Sequence, residues 1–282
     1  NYGITTWSKF FNPRQELVLS IFLLKIRECY KKMLDEKYDI EYAKILLTYL
    51  ALNYDNLARK LTIFTRFRND SNAFEGIFDI PNIHMIMDYG EKNILKNNSD
   101  WMNGLESIIF AVSDITKIKN SKIHVTQGDA TQLQFDDNYF DAVFTDPPYY
   151  DNIAYSYFSD FFYTRLKRTI GDLYPELFST ILVPRSSEII VDGKTRDKEF
   201  FESMLSKALT EIYRVLKPSG ITVIVYAHKT TEGWETLINS LLDSGLIVTA
   251  AWPIRTELAG RLISQNTASL ASSIYMVCRK LE

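Results

Sequence analysis

Apolar residues recur at helical spacing through the first part of the chain. Leu17, Ile21 and Leu24 follow Asn12-Pro13-Arg14-Gln15, which offers a cap, a proline suited to the first helical position and a glutamine placed to close a capping box. A second stripe, Ala43, Leu46, Leu47, Leu50, Leu57 and Leu61, predicts a helix from about Glu41 to Phe67. A third helical pattern runs from Trp101 to Ile118. Between the last two, residues 69–98 are rich in Asn, Asp and Gly and read as loop with short structure inside it.

From Lys122 the rhythm changes to strand and helix in alternation, which predicts a parallel sheet covered on both faces. "KIHVTQGDA" reads as a strand ending in an acid, "FDAVFTDPPYY" as a second and "GITVIVYAH" as a third. A helix from about Asp197 to Leu216 precedes the third, with Phe200, Phe201, Met204, Leu205, Ala208, Leu209 and Ile212 on one stripe. "TEGWETLINSLLDSG" is a further helix with Gly245 at its end, followed by the strand "LIVTAAWPI", and the chain closes on "SSIYMVCRK". The expected organisation is a mainly helical region over 1–120 and an α/β region over 121–282.

The totals narrow the picture. With 282 residues and 46% hydrophobic content the chain can bury one large core or two smaller ones. A net charge of −3 means that any nucleic-acid contact must come from a local basic face. Cys29 and Cys278 lie far apart, and His84, His124 and His228 have no metal-ligand spacing, so no metal is expected. The apolar stretch from Leu17 to Ile26 is too short to span a bilayer and contains Lys25, so a reduced, cytoplasmic protein with no membrane contact is expected. The chain starts at Asn1, which raises the expectation of a piece cut from something longer.

Chemistry concentrates in "DAVFTDPPYYDNIAY", Asp141 to Tyr155. Pro147 and Pro148 cannot continue a strand ladder or sit in a helix interior cheaply, so the strand stops there and presents Asp146 and Tyr149 at its carboxyl end. In an open α/β sheet that edge is where ligands bind. The plain alternative is a turn that merely ends a strand.

Asp146-Pro147-Pro148-Tyr149 resembles the catalytic tetrapeptide of amino-group methyltransferases, and "RVLKPSG", Arg214 to Gly220, resembles the turn before the fifth strand of class I S-adenosylmethionine-dependent enzymes. Their order, with "QGDA" upstream and two closing strands downstream, matches the second half of that Rossmann-like class I methyltransferase fold. From "YGITTWSKFFNPRQ" through "FTDPPYYDN", "YAHKTTEGWE" and "WPIRTE" to "SSIYMVCRK", nearly the whole chain resembles the adenine-specific DNA methylases that carry a DUF1156 domain. The resemblance implies S-adenosyl-L-methionine as cofactor, DNA as partner, and a place in the modification or defence of DNA.

The amine of adenine is a poor nucleophile because its lone pair is delocalised into the ring. An enzyme must therefore draw both amino hydrogens toward acceptors. By resemblance Asp146 accepts one and the carbonyl of Pro147 the other, while Tyr149 stacks on a base swung out of the duplex. Orientation and electrostatics then supply most of the catalysis, and no covalent adduct is needed. That agrees with the absence of a Pro-Cys pair, which a cytosine-C5 enzyme would be expected to carry. Cytosine N4 in DNA and guanine N2 in RNA are rival amines of the same class; Asp at the first position favours adenine, and Tyr150 disfavours the RNA enzymes with "DPPYG".

Asp129 and Ala130 follow a predicted strand, where such enzymes place an acid that holds the cofactor's adenine amine; a helix cap is the alternative for Asp129. Phe11-Asn12-Pro13 resembles a Phe-Thr-Pro-type cofactor motif with Asn in place of Thr, although capping alone explains Asn12 and Pro13. Tyr150, Asn152, Tyr155, His228, Lys229 and Arg255 are the candidate substrate contacts, the last three because each follows a strand at the edge that carries Asp146, while Tyr150, Asp151 and Asn152 either extend the pocket or simply finish the turn. Phe158, Phe161, Phe162 and Leu166 fall at core spacing. The clusters Arg165, Lys167, Arg168 and Arg185, Lys194, Arg196, Lys198 read as solvated faces. The connection from Thr256 to Ser272, with Arg261, is either a phosphate contact or a scaffold loop.

One expected element is missing. A class I enzyme opens with a strand and a glycine-rich turn that lets backbone approach the cofactor, yet no Gly-x-Gly occurs in this sequence. The first two strands are therefore expected to be absent. Three explanations remain open: an upstream segment of a longer polypeptide, a complementing subunit, or a non-catalytic nucleic-acid-binding or regulatory relative. An exposed sheet edge in the first two cases would make the isolated chain prone to associate.

Overall fold

The computed structural model describes residues 3–69, 73–79, 86–94, 100–118, 122–150, 153–193, 195–228, 230–254 and 273–281. The chain divides into two compact units, one made of Asn1–Ile123 with Tyr155–Pro184 and the other of His124–Ala154 with Arg185–Glu282. The segment that follows the Asp-Pro-Pro-Tyr turn thus returns to the helical unit before the chain re-enters the sheet.

The first unit begins with α1 (Pro13–Asp35). Its capping box forms as the sequence predicts: Asn12 accepts from the Gln15 amide at 2.9 Å and the Gln15 side chain accepts from the Asn12 amide at 3.0 Å. Helix α2 (Ile40–Ala58) starts at an Asp39 cap and ends well short of the expected Phe67. There Thr62 and Thr65 offer the backbone local partners, with Thr65 Oγ1 accepting from the Thr62 amide and Thr62 Oγ1 from the Phe64 amide. Hydroxyls bonded this way compete with helix propagation. A short hairpin follows, β1 (Arg66–Arg68) and β2 (Ala73–Glu75), across which Glu75 pairs with Arg66 and Arg68.

Helix α3 (Asp100–Ile115) is anchored by the Asn53 amide on the Trp101 carbonyl at 2.9 Å and by the Trp101 ring against Phe22. Helix α4 (Tyr155–Ile170) contributes Phe161, fully buried against Trp7, Phe10, Phe11 and Phe78. The core spacing read in α4 therefore marks packing. Arg165 is no solvated charge: its guanidinium lies 3.8 Å from the Phe161 ring centroid and 4.9 Å from that of Phe11.

The second unit is a four-stranded sheet in the order β3 (Phe140–Thr145), β4 (Leu216–Tyr226), β6 (Ser273–Lys280), β5 (Leu246–Ile254). Helices α5 (Lys198–Val215) and α6 (Thr231–Asp243) supply its core partners Phe201, Leu205, Leu209, Leu237 and Leu241. The expected parallel sheet is present in one pairing. Among the described residues of this sheet β3 and β4 run parallel, while β6 inserts antiparallel between β4 and β5. The chain is α/β, and a parallel strand pair continued by an inserted antiparallel strand is consistent with a Rossmann-like methyltransferase fold.

A correction concerns "KIHVTQGDA", which forms no ladder; only an isolated bridge joins Asp129 to Gln132. Ile123 and Val125 stand 67% and 86% exposed. A strand holds its shape through a neighbour's hydrogen bonds and a covered face, and among the described residues neither is supplied. The outer edge of β3 likewise pairs with none of the described residues.

Candidate active site

Strand β3 delivers Asp146 to the carboxyl edge of the parallel pair, next to the end of β4. Asp146 is exposed, while Pro147, Pro148, Tyr149 and Tyr150 are half-buried. The Tyr149 hydroxyl donates to Asp146 Oδ1 at 2.7 Å. Its ring meets Tyr226 edge-on at 5.4 Å, and Tyr226 is fully buried with its hydroxyl donating to the Gly233 carbonyl at 3.2 Å. Tyr149 is thus braced from the sheet side by a residue at the end of the neighbouring strand.

Tyr150 adopts φ 47°, the left-handed region that a non-glycine residue enters at a cost. Three contacts hold it there. Its carbonyl accepts from the Val191 amide at 2.9 Å, and its ring packs edge-on against Phe201 at 5.2 Å and His228 at 5.6 Å. His228 is itself fixed at the start of α6. Its Nδ1 accepts from the Thr230 amide at 3.1 Å, its carbonyl accepts from the Trp234 indole at 3.1 Å, and a Cβ on Gly233 would lie 2.2 Å from Nδ1. An acceptor Nδ1 places the ring proton on Nε2.

Within this unit, then, Asp146, Pro147, Pro148, Tyr149, Tyr150 and His228 come together at one sheet edge. Asp129 and Ala130 are exposed in the same unit. Asp129 Oδ1 accepts from both the hydroxyl and the amide of Thr131, at 2.7 and 2.8 Å, and these bonds hold its carboxyl below the usual range. It closes a local turn and caps no helix among the described residues.

Phe11, Asn12, Pro13 and Tyr155 belong to the first unit. Phe11 is 9% exposed and stacks on Phe161; the Asn12 side chain caps α1 and donates to Tyr89; Pro13 opens the helix; Tyr155 is exposed at the first position of α4. Asp151, Asn152, Lys194, Lys229 and Arg255 lie outside the described residues, as does the connection from Thr256 to Ser272.

Sequence reasoning passed over Tyr226, Thr230, Gly233, Val191 and Arg196. Thr-x-x-Gly at the start of a predicted helix is a legible cap, and Tyr226 sits two residues before His228; Val191 and Arg196 gave no signal. Arg196, read as part of a solvated face, has a side chain only 4% exposed and pairs with Glu188 and Asp192 at 2.6 and 3.1 Å. Burial opposes its charge, but those two carboxylates raise its pKa above the ordinary value. Among the described residues no cluster of three or more His, Cys, Asp or Glu side chains could hold a metal ion. No described helix is long and apolar enough to cross a membrane.

No protein-family model matches the chain, and no curated protein matches it. Among solved structures, the chain is similar to a "Putative DNA Modification Methylase" of Thermus thermophilus in two crystal structures. Identities there are 17% and 18%, the overlap covers 55% of this chain and 53% or 52% of the other, and TM-scores are 0.31 and 0.30. It is similar to the cyclase SpnF at 14% identity over 63% of this chain and 64% of that one, with a TM-score of 0.33. A SAM-dependent methyltransferase of Methanosarcina mazei matches at 13% identity over 62% of this chain and 78% of its own, with a TM-score of 0.29. The chain spans about half the length of the first of these, at 53%. At such identity and overlap the likeness carries no weight for the chemistry of the site, which rests on the residues themselves.

Proposed function

We propose that this chain carries the catalytic half of an S-adenosylmethionine-dependent methyltransferase acting on an exocyclic amine of a nucleobase, adenine N6 in DNA. The observation that carries the reading is Asp-Pro-Pro-Tyr at the carboxyl end of a strand paired in parallel with its neighbour, Tyr149 lying within hydrogen-bond reach of Asp146. Asp146 accepts one amino hydrogen and the Pro147 carbonyl the other, which returns lone-pair density to the nitrogen. Tyr149 stacks on the extruded base, and its hydroxyl gives up Asp146 Oδ1 as the amine arrives. The cofactor supplies an electrophilic methyl group when bound.

The residues present fit that cofactor only in part. Asp129 keeps Oδ2 clear of its own turn, and the carboxyl edge of the sheet supplies Asp146. No glycine-rich turn exists in the sequence to admit the cofactor's amino-acid end. An upstream segment or a complementing subunit therefore supplies the remaining strands and completes the site. It joins at the edge of β3 that pairs with none of the described residues.

A second reading, a nucleic-acid-binding relative without catalysis, is favoured by the commitment of Asp129 Oδ1 to Thr131. Calorimetric titration with S-adenosylmethionine separates the two. Binding by the chain once its completing segment or subunit is added supports the enzyme, and binding by neither form overturns it. Transfer of labelled methyl to unmethylated DNA, read by nucleoside mass spectrometry, then distinguishes N6-methyladenine from N4-methylcytosine, and the same assay on RNA tests for N2-methylguanine.

A further inference from the structure

The loop from Arg185 to Arg196 is built around a buried cation. Arg196 donates through Nη1 to Glu188 Oε2 at 2.6 Å and to the Arg185 carbonyl at 3.0 Å. Through Nε and Nη2 it donates to Asp192 Oδ2 at 3.2 and 3.1 Å. The backbone closes the same ring, the Asp192 amide donating to the Arg196 carbonyl at 3.0 Å and the Arg196 amide to Asp192 Oδ1 at 3.1 Å. Arg196 and Asp192 side chains are each 4% exposed. A planar donor fork with two carboxylates and a carbonyl fixes Arg185, Glu188, Asp192 and Arg196 relative to one another.

What the fork holds in place is Val191, one residue before Asp192. The Val191 amide is the donor to the Tyr150 carbonyl at 2.9 Å. Ile190 is 1% exposed, and Ile189 and Val191 pack on the core that includes Phe201. Tyr150 needs such a grip because its φ of 47° is unfavourable on its own. It follows Tyr149 directly, so an error in Tyr150 is passed to the Tyr149 hydroxyl and to Asp146.

We infer that Arg196, acting through Asp192 and the Val191 amide, is a positioning residue for the Asp146–Tyr149 turn. The inference rests on the functional reading above for its catalytic consequence and on the geometry alone for its structural one. The side chain touches no reacting atom. It fixes the backbone donor that keeps Tyr150 left-handed.

The test uses Arg196→Met and Arg196→Lys in the full chain, with Asp192→Asn as a milder variant should Arg196→Met not fold. Amide exchange at Val191 is expected to quicken about tenfold or more, and the Tyr149 ring resonance to broaden, while the unfolding transition of the sheet remains cooperative. Methyl transfer, measured with the segment or subunit that completes the site, is expected to lose about 10–100-fold in kcat with KM for the cofactor within about twofold, as misplacement of a reacting group predicts. Arg196→Lys, which keeps charge but not the fork, should fall between. A Val191 amide and Tyr149 resonance unchanged in Arg196→Met, or a loss confined to KM, would overturn the inference. Wild-type chain that transfers no methyl to any nucleobase once the segment or subunit completing its site is present would overturn the functional reading instead, leaving the two spectroscopic signals to decide the role of Arg196.

Discussion

Replacing Asp55 by Asn should stabilise the first unit, and by an amount that grows with pH. Asp55 lies in α2 with 4% of its surface exposed, and neither carboxylate oxygen has a hydrogen-bond partner among the described residues. Burial pushes its pKa from 3.8 up to about 8, against the opposing charge of Arg165. Neighbouring Tyr54 is pushed up to about 12 by the same burial and stays neutral across the window, while Arg165, lowered by burial, stays charged. Because the folded pKa exceeds the unfolded one, stability is fully present below about pH 4 and is lost as pH rises toward 8. Each pH unit in that range costs about 1.4 kcal/mol, so the full loss approaches about 6 kcal/mol. Asp55→Asn keeps the shape without the ionisation and should show almost none of it.

The assay is urea unfolding at several pH values between 4 and 9, followed by tryptophan fluorescence in a background with Trp234 and Trp252 changed to Phe. That leaves Trp7 and Trp101, both in the first unit, as reporters. The difference between variant and parent should climb through the window and level off above pH 8. A difference that stays flat with pH, or a variant less stable than the parent at pH 8, would refute the assignment of Asp55 as a buried acid kept neutral by its surroundings.

Two further outcomes follow from the geometry. Tyr149→Phe keeps the ring against Tyr226 but releases Asp146 Oδ1, so methyl transfer should change by less than about tenfold, whereas Tyr149→Ala, which removes the stacking face, should lose about 100-fold or more; equal losses in a kinetic comparison would contradict the division of labour. Burial pushes the Cys278 thiol up to about 11, while Cys29 is exposed, so a thiol reagent at pH 8 should label one cysteine in the native chain and two in denaturant; prompt labelling of both in the native state would contradict the buried position of β6.

Local signals in the sequence were the most legible. The Asn12–Gln15 capping box, the stripe along α5, and the Gly245 stop after α6, where φ is 80°, each depend on neighbours within a few positions. The overrun of α2 shows the limit of periodicity: Leu61 continued the apolar stripe, but the Thr62 and Thr65 hydroxyls had already captured the backbone. Strand order was hidden because the insertion of β6 between β4 and β5 is set by long-range pairing. "KIHVTQGDA" has strand composition without a partner among the described residues, and composition alone cannot supply one. At the site, Asp146 and Tyr149 were legible because proline constrains the turn around them. Arg196 was not, since a charged residue among other charges gives no sign in sequence that two carboxylates will enclose it.

The role of Asp146 is tested most directly by single-turnover methyl transfer to an unmethylated DNA duplex, with the chain and the segment or subunit that completes its site, comparing wild type with Asp146→Ala. N6-methyladenine should form with the wild type, and the variant should be slower by at least about 100-fold, because the amine loses the carboxylate that frees its lone pair. N6-methyladenine formed by Asp146→Ala at the wild-type rate would contradict it.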